Sequence, residues 1–315
     1  MVDDRLEDCS QVLRHTGLVL SGAMVLFLFA PRVKADIVTE IGGDTRNFVV
    51  LYEGGGTAQV SSGTIVGNIG IGPNGFFSGA NNGTLKGNVD FSGSNTGQFS
   101  SASGYTLNGS VLYGQSDVTA DLNNVGSFSA KASGESGTAL VIDPSAMGGN
   151  QAIYASSGVL DGGGNRVFNV TSFNFAAGTT LTINGNSTGD NVILNFNTNS
   201  TLNFDGAMNF NGIAPDQVLF NITGGGELKI DGATVGGDFA DLNGQIMVSG
   251  SSVNGRIFGD NGDRLIVSDS GLYYAPPGSF GARAPEPAAI VLMCTVCLGL
   301  VPILRRRFRR VSLKG

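Results

Sequence analysis

Apolar and polar residues alternate with a period of two through the middle of the chain. Thr180-Leu181-Thr182-Ile183-Asn184, Val192-Ile193-Leu194-Asn195-Phe196 and Thr201-Leu202-Asn203-Phe204-Asp205 read as short strands. Gly, Asn and Asp separate them, which predicts turns. One stretch has a different period. From Asp117 to Ala132 the apolar residues are Val118, Leu122, Val125, Phe128 and Ala132. That spacing predicts a helix of about four turns over 117–132, with Asp117 as its N-terminal cap and Gly126 as a weak point.

The strands also repeat at longer range. Thr64-Ile65-Val66-Gly67-Asn68-Ile69 returns as Thr84-Leu85-Lys86-Gly87-Asn88-Val89 after 20 residues, and as Thr106-Leu107-Asn108-Gly109-Ser110-Val111 after 22 more. Further echoes begin at Thr234, Asp241 and Ser252. A recurrence near 20 residues suits one coil of a β-solenoid, in which no coil buries its apolar row until it stacks on the next. The expected ladders are Ile65, Leu85, Leu107 and Ile69, Val89, Val111, with Gly at the bend between two faces. The fold class expected is therefore mainly β, a Gly-rich solenoid with one flanking helix covering a face. A β-sandwich also fits regular short strands and is the alternative.

Composition supports an ordered β body. Fifty residues are Gly, yet 41% are hydrophobic, above what a disordered chain carries. From Asp36 to Arg283 there are 20 acidic against 8 basic residues, a net of −12. Such a surface repels phosphates, so nucleic acid is not an expected partner. Cys9, Cys294, Cys297 and His15 all lie in the terminal segments. The middle has neither residue type. That excludes a disulfide staple, a Ser-His-Asp triad, a Cys-His pair and a zinc site of ordinary ligands there. No cofactor is expected.

The two ends read as addresses. Residues 1–35 carry Arg5, Arg14 and His15 before an apolar run from Leu18 to Ala30, then Val33-Lys34-Ala35. This is the pattern of a secretory signal cleaved after Ala35 by signal peptidase, with an uncleaved anchor as the alternative. Residues 276–284 form a linker. Pro285-Glu286-Pro287 then precedes an uncharged segment, 288–304, of spanning length. Arg305, Arg306, Arg307, Arg309 and Arg310 follow and would hold that end in the cytoplasm. Cys294 and Cys297 fall inside the apolar segment and read as small apolar residues of a membrane helix.

Pro285-Glu286-Pro287, the apolar helix and the Arg cluster resemble the PEP-CTERM sorting signal of exopolysaccharide-producing Gram-negative bacteria, with Ala284 where Val is usual. The resemblance implies recognition of the tail by a membrane exosortase, cleavage near the motif, and release or transfer of the body. A simple unprocessed anchor is the alternative. The body, 36–275, has its own resemblance. Asn47-Phe48-Val49-Val50-Leu51, Gly67-Asn68-Ile69-Gly70-Ile71-Gly72, the midchain helix and Asp216-Gln217-Val218-Leu219-Phe220-Asn221-Ile222 together resemble the choice-of-anchor-A surface domains. They are similar as well to ice-binding-like β-solenoids. These resemblances imply an adhesive domain.

Candidate chemistry is sparse. Asp238 with Asp241, and Asp260 with Asp263, are the densest acidic pairs, and an acid–base pair on a solenoid would suit a glycan-active enzyme. Both pairs sit next to glycines, as turn residues do. Gly259-Asp260-Asn261-Gly262-Asp263-Arg264-Leu265 is similar to a single Ca²⁺-binding β-roll repeat, but a polar turn explains it equally. Asp161-Gly162-Gly163-Gly164-Asn165 also reads as a turn. Ice binding calls for a flat Thr array, and only Thr64, Thr84 and Thr106 stack in the repeat. The reading is a non-enzymatic protein, exported as an inner-membrane-anchored precursor, then placed at the cell surface or in the polysaccharide matrix. Its expected partners are the two processing enzymes, the membrane before cleavage, and surface components or exopolysaccharide.

Overall fold

In the computed structural model, residues 37–186, 190–259 and 264–273 are described. Short strands wind into a solenoid with three parallel sheets. Their register runs coil to coil, as the 20-residue recurrence requires, and the sandwich alternative falls.

The first sheet, the helix face, stacks ten strands. They run from Val111–Leu112 at one end through Val89–Phe91, Asn68–Ile71 and Phe48–Tyr52. The stack continues through the second halves of Ser252–Gly259 and Thr234–Asp241 to Val218–Ile222, Val192–Phe196, Arg166–Phe173 and Thr138–Ile142. The narrow face stacks seven, from Phe99–Ser101 to Leu202–Phe204. The open face stacks nine and is described below. Among the described residues, the hairpin of Val159–Leu160 on Arg166–Phe173 is the antiparallel exception. Asp161–Asn165 is its turn, where the Asp161 carboxylate accepts from the Asn165 N–H.

The chain does not stack in sequence order. Its first coil lies mid-stack. The early coils wind away from it to Leu112, the long helix carries the chain back, and the later coils wind inward until Arg264–Ser268 pairs with Thr57–Ser61. The last coil thus docks on the first.

The two expected ladders form: Ile65 pairs with Leu85 and Leu85 with Leu107, while Val89 lies between Ile69 and Val111. Aromatic rings continue the core through the later arm. Phe220 and Phe239 stack at 4.6 Å, with Phe204 edge-on to both.

Gly at the corner between open and helix faces serves two needs. Gly67 and Gly237 adopt φ of 133° and 120°, which an L side chain resists. Gly87 sits against the Gly67 carbonyl, where a Cβ would collide. The echo at Asp241–Ile246 belongs to another corner: it leads from the helix face to the narrow face, into Ile246–Ser249.

Two helices cover the helix face: α1, Ile37–Ile41, and α2, Ser116–Ser133. The second is the helix expected over 117–132. Its cap differs: Gln115 holds the cap position without a side-chain bond, and Asp117 lies in the first turn. There its charge faces the positive end of the helix dipole. Val118, Leu122, Val125 and Ala132 pack onto Phe48, Leu51, Ile193, Leu219 and Phe258. This explains why Phe48–Tyr52, Val192–Phe196 and Val218–Ile222 are buried at every position. One row faces the core and the other faces helix. Polar pairs fix the helix in place. Asn221 donates to the Ser129 carbonyl at 3.1 Å and to Asn195 Oδ1 at 2.9 Å, and accepts from the Ser129 hydroxyl. Asn195 donates to the Ala132 carbonyl at 2.8 Å.

Candidate contact face

With one face under helices, two sheets remain open to solvent. The narrow face carries charge, including Arg264 and the Lys229–Asp231 ion pair at 3.1 Å. The open face differs. Its nine strands are Asn150–Tyr154, Thr180–Asn184, Ala207–Asn211, the first parts of Thr234–Asp241 and Ser252–Gly259, Gly271–Tyr273, Thr64–Val66, Thr84–Lys86 and Thr106–Leu107. None of these strand residues on the face is acidic, and Lys86 alone is basic. In a body of net charge −12, a surface roughly 40 Å long has almost no charge.

The alternation found in the sequence positions its side chains. Leu181, Met208, Val253, Leu272, Ile65 and Leu85 turn inward and are buried. The next residue on either side must then point outward. One outward row runs in unbroken register: Asn150, Thr180, Ala207, Thr234, Ser252, Gly271, Thr64, Thr84, Thr106. Six of the nine carry a hydroxyl. A second row includes Thr182, Asn209, Asn254 and Tyr273, and a third joins Asn211 to Asn184 by a side-chain hydrogen bond of 3.0 Å. The early repeat aligned Thr64, Thr84 and Thr106, and the late echoes carried Thr234 and Ser252 apart from them. All join one row because the late arm docks on the first coil through Gly271 and Thr64.

The acidic pair Asp238 and Asp241 does not make an active site. Both are fully buried. Asp238 pairs with the equally buried Arg256 at 3.2 Å and accepts from its backbone N–H. Asp241 accepts from the Gly244 N–H at 2.9 Å, and burial pushes its carboxyl up to about 7. Neither carboxyl is open to solvent. Asp260 and Asp263 lie outside the described residues, as do Ala35, Pro285, Glu286, Pro287 and Arg305, Arg306, Arg307, Arg309 and Arg310. Among the described residues no group of three or more His, Cys, Asp or Glu could hold a metal ion. Among them, too, no helix is long and apolar enough to cross a membrane.

A cavity of about 470 Å³ opens between α1, α2 and the 161–165 turn. Its Glu40 carboxylate accepts from Asn165 at 2.8 Å and Asn191 at 2.9 Å. These bonds tie α1 to the sheet.

Residues 39–265 match a family model described as an ice-binding-like adhesive domain. No curated protein sequence matches the chain. Among solved structures, an ice-binding protein from an Antarctic biological consortium is similar at 13% identity and a TM-score of 0.51, covering 78% of this chain and 94% of that one. An ice-binding protein from an Antarctic Flavobacteriaceae bacterium is similar at 14% identity and a TM-score of 0.50, covering 77% of this chain and 48% of that one. At these identities the likeness shows the fold.

Proposed function

Because the chain belongs to the ice-binding-like adhesive domain family, we propose that it is an exported, non-enzymatic adhesin that meets its target through the open face. The observation that carries this reading is the nearly uncharged, hydroxyl- and amide-bearing surface of nine strands in an otherwise acidic body. Burial of Asp238 and Asp241 speaks against a hydrolytic role. The terminal segments supply the route. Residues 1–35 direct export, Arg305–Arg310 hold the precursor in the inner membrane, and an exosortase cuts near Pro285 to place the body at the surface or in the matrix. The experiment is the intact mass of the protein from its host's envelope and medium, together with the adhesion of cells lacking the gene. A product from Asp36 to near Pro285, and loss of adhesion, are expected. Retention of Arg305–Arg310 would overturn the sorting step, and unchanged adhesion would overturn the adhesive role.

One observation favours a second reading, ice binding: the six hydroxyls in one row at coil spacing. Ala207 and Gly271 interrupt that row. Ice shaping by the purified protein, abolished by Thr84→Tyr, would carry this reading. No ice shaping would dismiss it.

A further inference from the structure

We propose that Tyr273 and Gly271 form a sugar-stacking subsite within the open face, one that takes a pyranose ring of a neutral polysaccharide. The proposal rests on the reading of that face as the contact surface, and adds the ligand's chemical class.

The subsite arises from two residues on one strand. Gly271 takes an outward position in the hydroxyl row, and Tyr273 is the next outward residue. The tyrosine folds back over the glycine. A Cβ on Gly271 would lie 2.6 Å from both the Tyr273 Cζ and its hydroxyl oxygen. Only glycine leaves room for the ring to lie down on the sheet. Tyr273 is nonetheless 47% exposed, with the far end of its ring lying over Gly271.

The surroundings choose the ligand. Ser252 and Thr64 flank Gly271 in register, and Asn254 and Val66 flank Tyr273. An aromatic ring whose neighbours are two hydroxyls, an amide and the single aliphatic Val66 lacks the broad apolar surroundings that form the core of a protein interface. A pyranose fits both features. Its C–H face carries partial positive charge and meets the negative face of the ring, while its hydroxyls reach the Ser, Thr and Asn side chains at the rim. Anionic polymers are disfavoured by the body's net charge of −12. Tyr154, 58% exposed, stands on the same face five coils away, roughly 24 Å. A second ring at that distance suits an extended chain of several sugars, not a single one.

The test is co-sedimentation of the full-length protein, in detergent, with insoluble cellulose, chitin and agarose. Wild type, Tyr273→Ala, Tyr273→Phe and Asn209→Arg are compared, each checked for folding by its melting curve. The wild type is expected to pellet with at least one of the three. Tyr273→Ala should weaken that binding about tenfold, as expected for loss of an aromatic anchor, and Tyr273→Phe should keep it. Wild-type binding to none of the three, or unchanged binding by Tyr273→Ala, would overturn the subsite. The host-cell adhesion assay separates the two levels. If Asn209→Arg abolishes adhesion and Tyr273→Ala does not, the subsite falls and the contact face stands. If neither changes adhesion, both fall.

Discussion

Val50 of the first coil lies in register beside Ile257 of the penultimate one, more than two hundred residues later. The early arm winds outward from this junction, and the late arm winds inward to it. Val50 and Ile257 are both fully buried, and Ala58 and Leu265 repeat the relationship on the narrow face.

The junction makes the arms one cooperative unit. Amide exchange at Ile69 in the early arm and at Leu219 in the late arm should report the same opening free energy. Ile257→Ala should lower both by about 2–5 kcal/mol. Separate opening energies for the two arms would show that they fold independently.

Two glycines should respond in opposite directions to alanine. Gly87 abuts the Gly67 carbonyl, so Gly87→Ala should destabilise by roughly 3 kcal/mol or more. Gly126 sits in α2 with nothing within 4 Å of an added Cβ. Gly126→Ala should stabilise by about 0.5–1 kcal/mol. Urea denaturation of the two variants decides both signs.

Asp238 is a structural partner of Arg256. Asp238→Asn should therefore lower stability by roughly 3–5 kcal/mol, because it leaves a buried guanidinium without its counter-charge. A variant that melts like the wild type would show that the pair carries no such weight.

Stability should fall as pH rises from about 4 to 7. Burial raises Asp241 to about 7. Burial, with a contribution from nearby Asp117, raises Asp90 and Asp121 to about 6. An unfolded Asp titrates near 4. Within that window the folded chain holds protons that the unfolded chain has released, so raising the pH favours unfolding. Below the window both states are protonated and the effect vanishes. Urea midpoints should be higher at pH 5 than at pH 8, and Asp241→Asn should narrow the difference.

The solenoid, its flanking helix and its first two ladders were legible because they are local. A period of two, a period near 3.6 and a 20-residue recurrence each report on neighbours in sequence. The order of the coils was not legible. Nothing in the residues around Gly271 says that they lie beside Thr64, because that pairing depends on where the helix returns the chain. For the same reason the hydroxyl row looked three residues long. The burial of Asp238 was hidden as well: its partner, Arg256, lies one coil away, and its flanking Gly237 suggested an exposed turn. The Tyr273 ring lying on Gly271 left a faint signal, an aromatic two residues after a glycine in a strand.

The most direct test is adhesion of host cells carrying the full chain with one bulky charge on each solvent-facing sheet in turn. Thr234→Arg and Asn209→Arg place it on the open face, and Asn203→Arg on the narrow face; all three wild-type residues are exposed. The open-face variants should lose attachment to the matrix while Asn203→Arg attaches like the wild type. Equal attachment by all three would contradict the assignment of the open face as the surface by which this protein adheres.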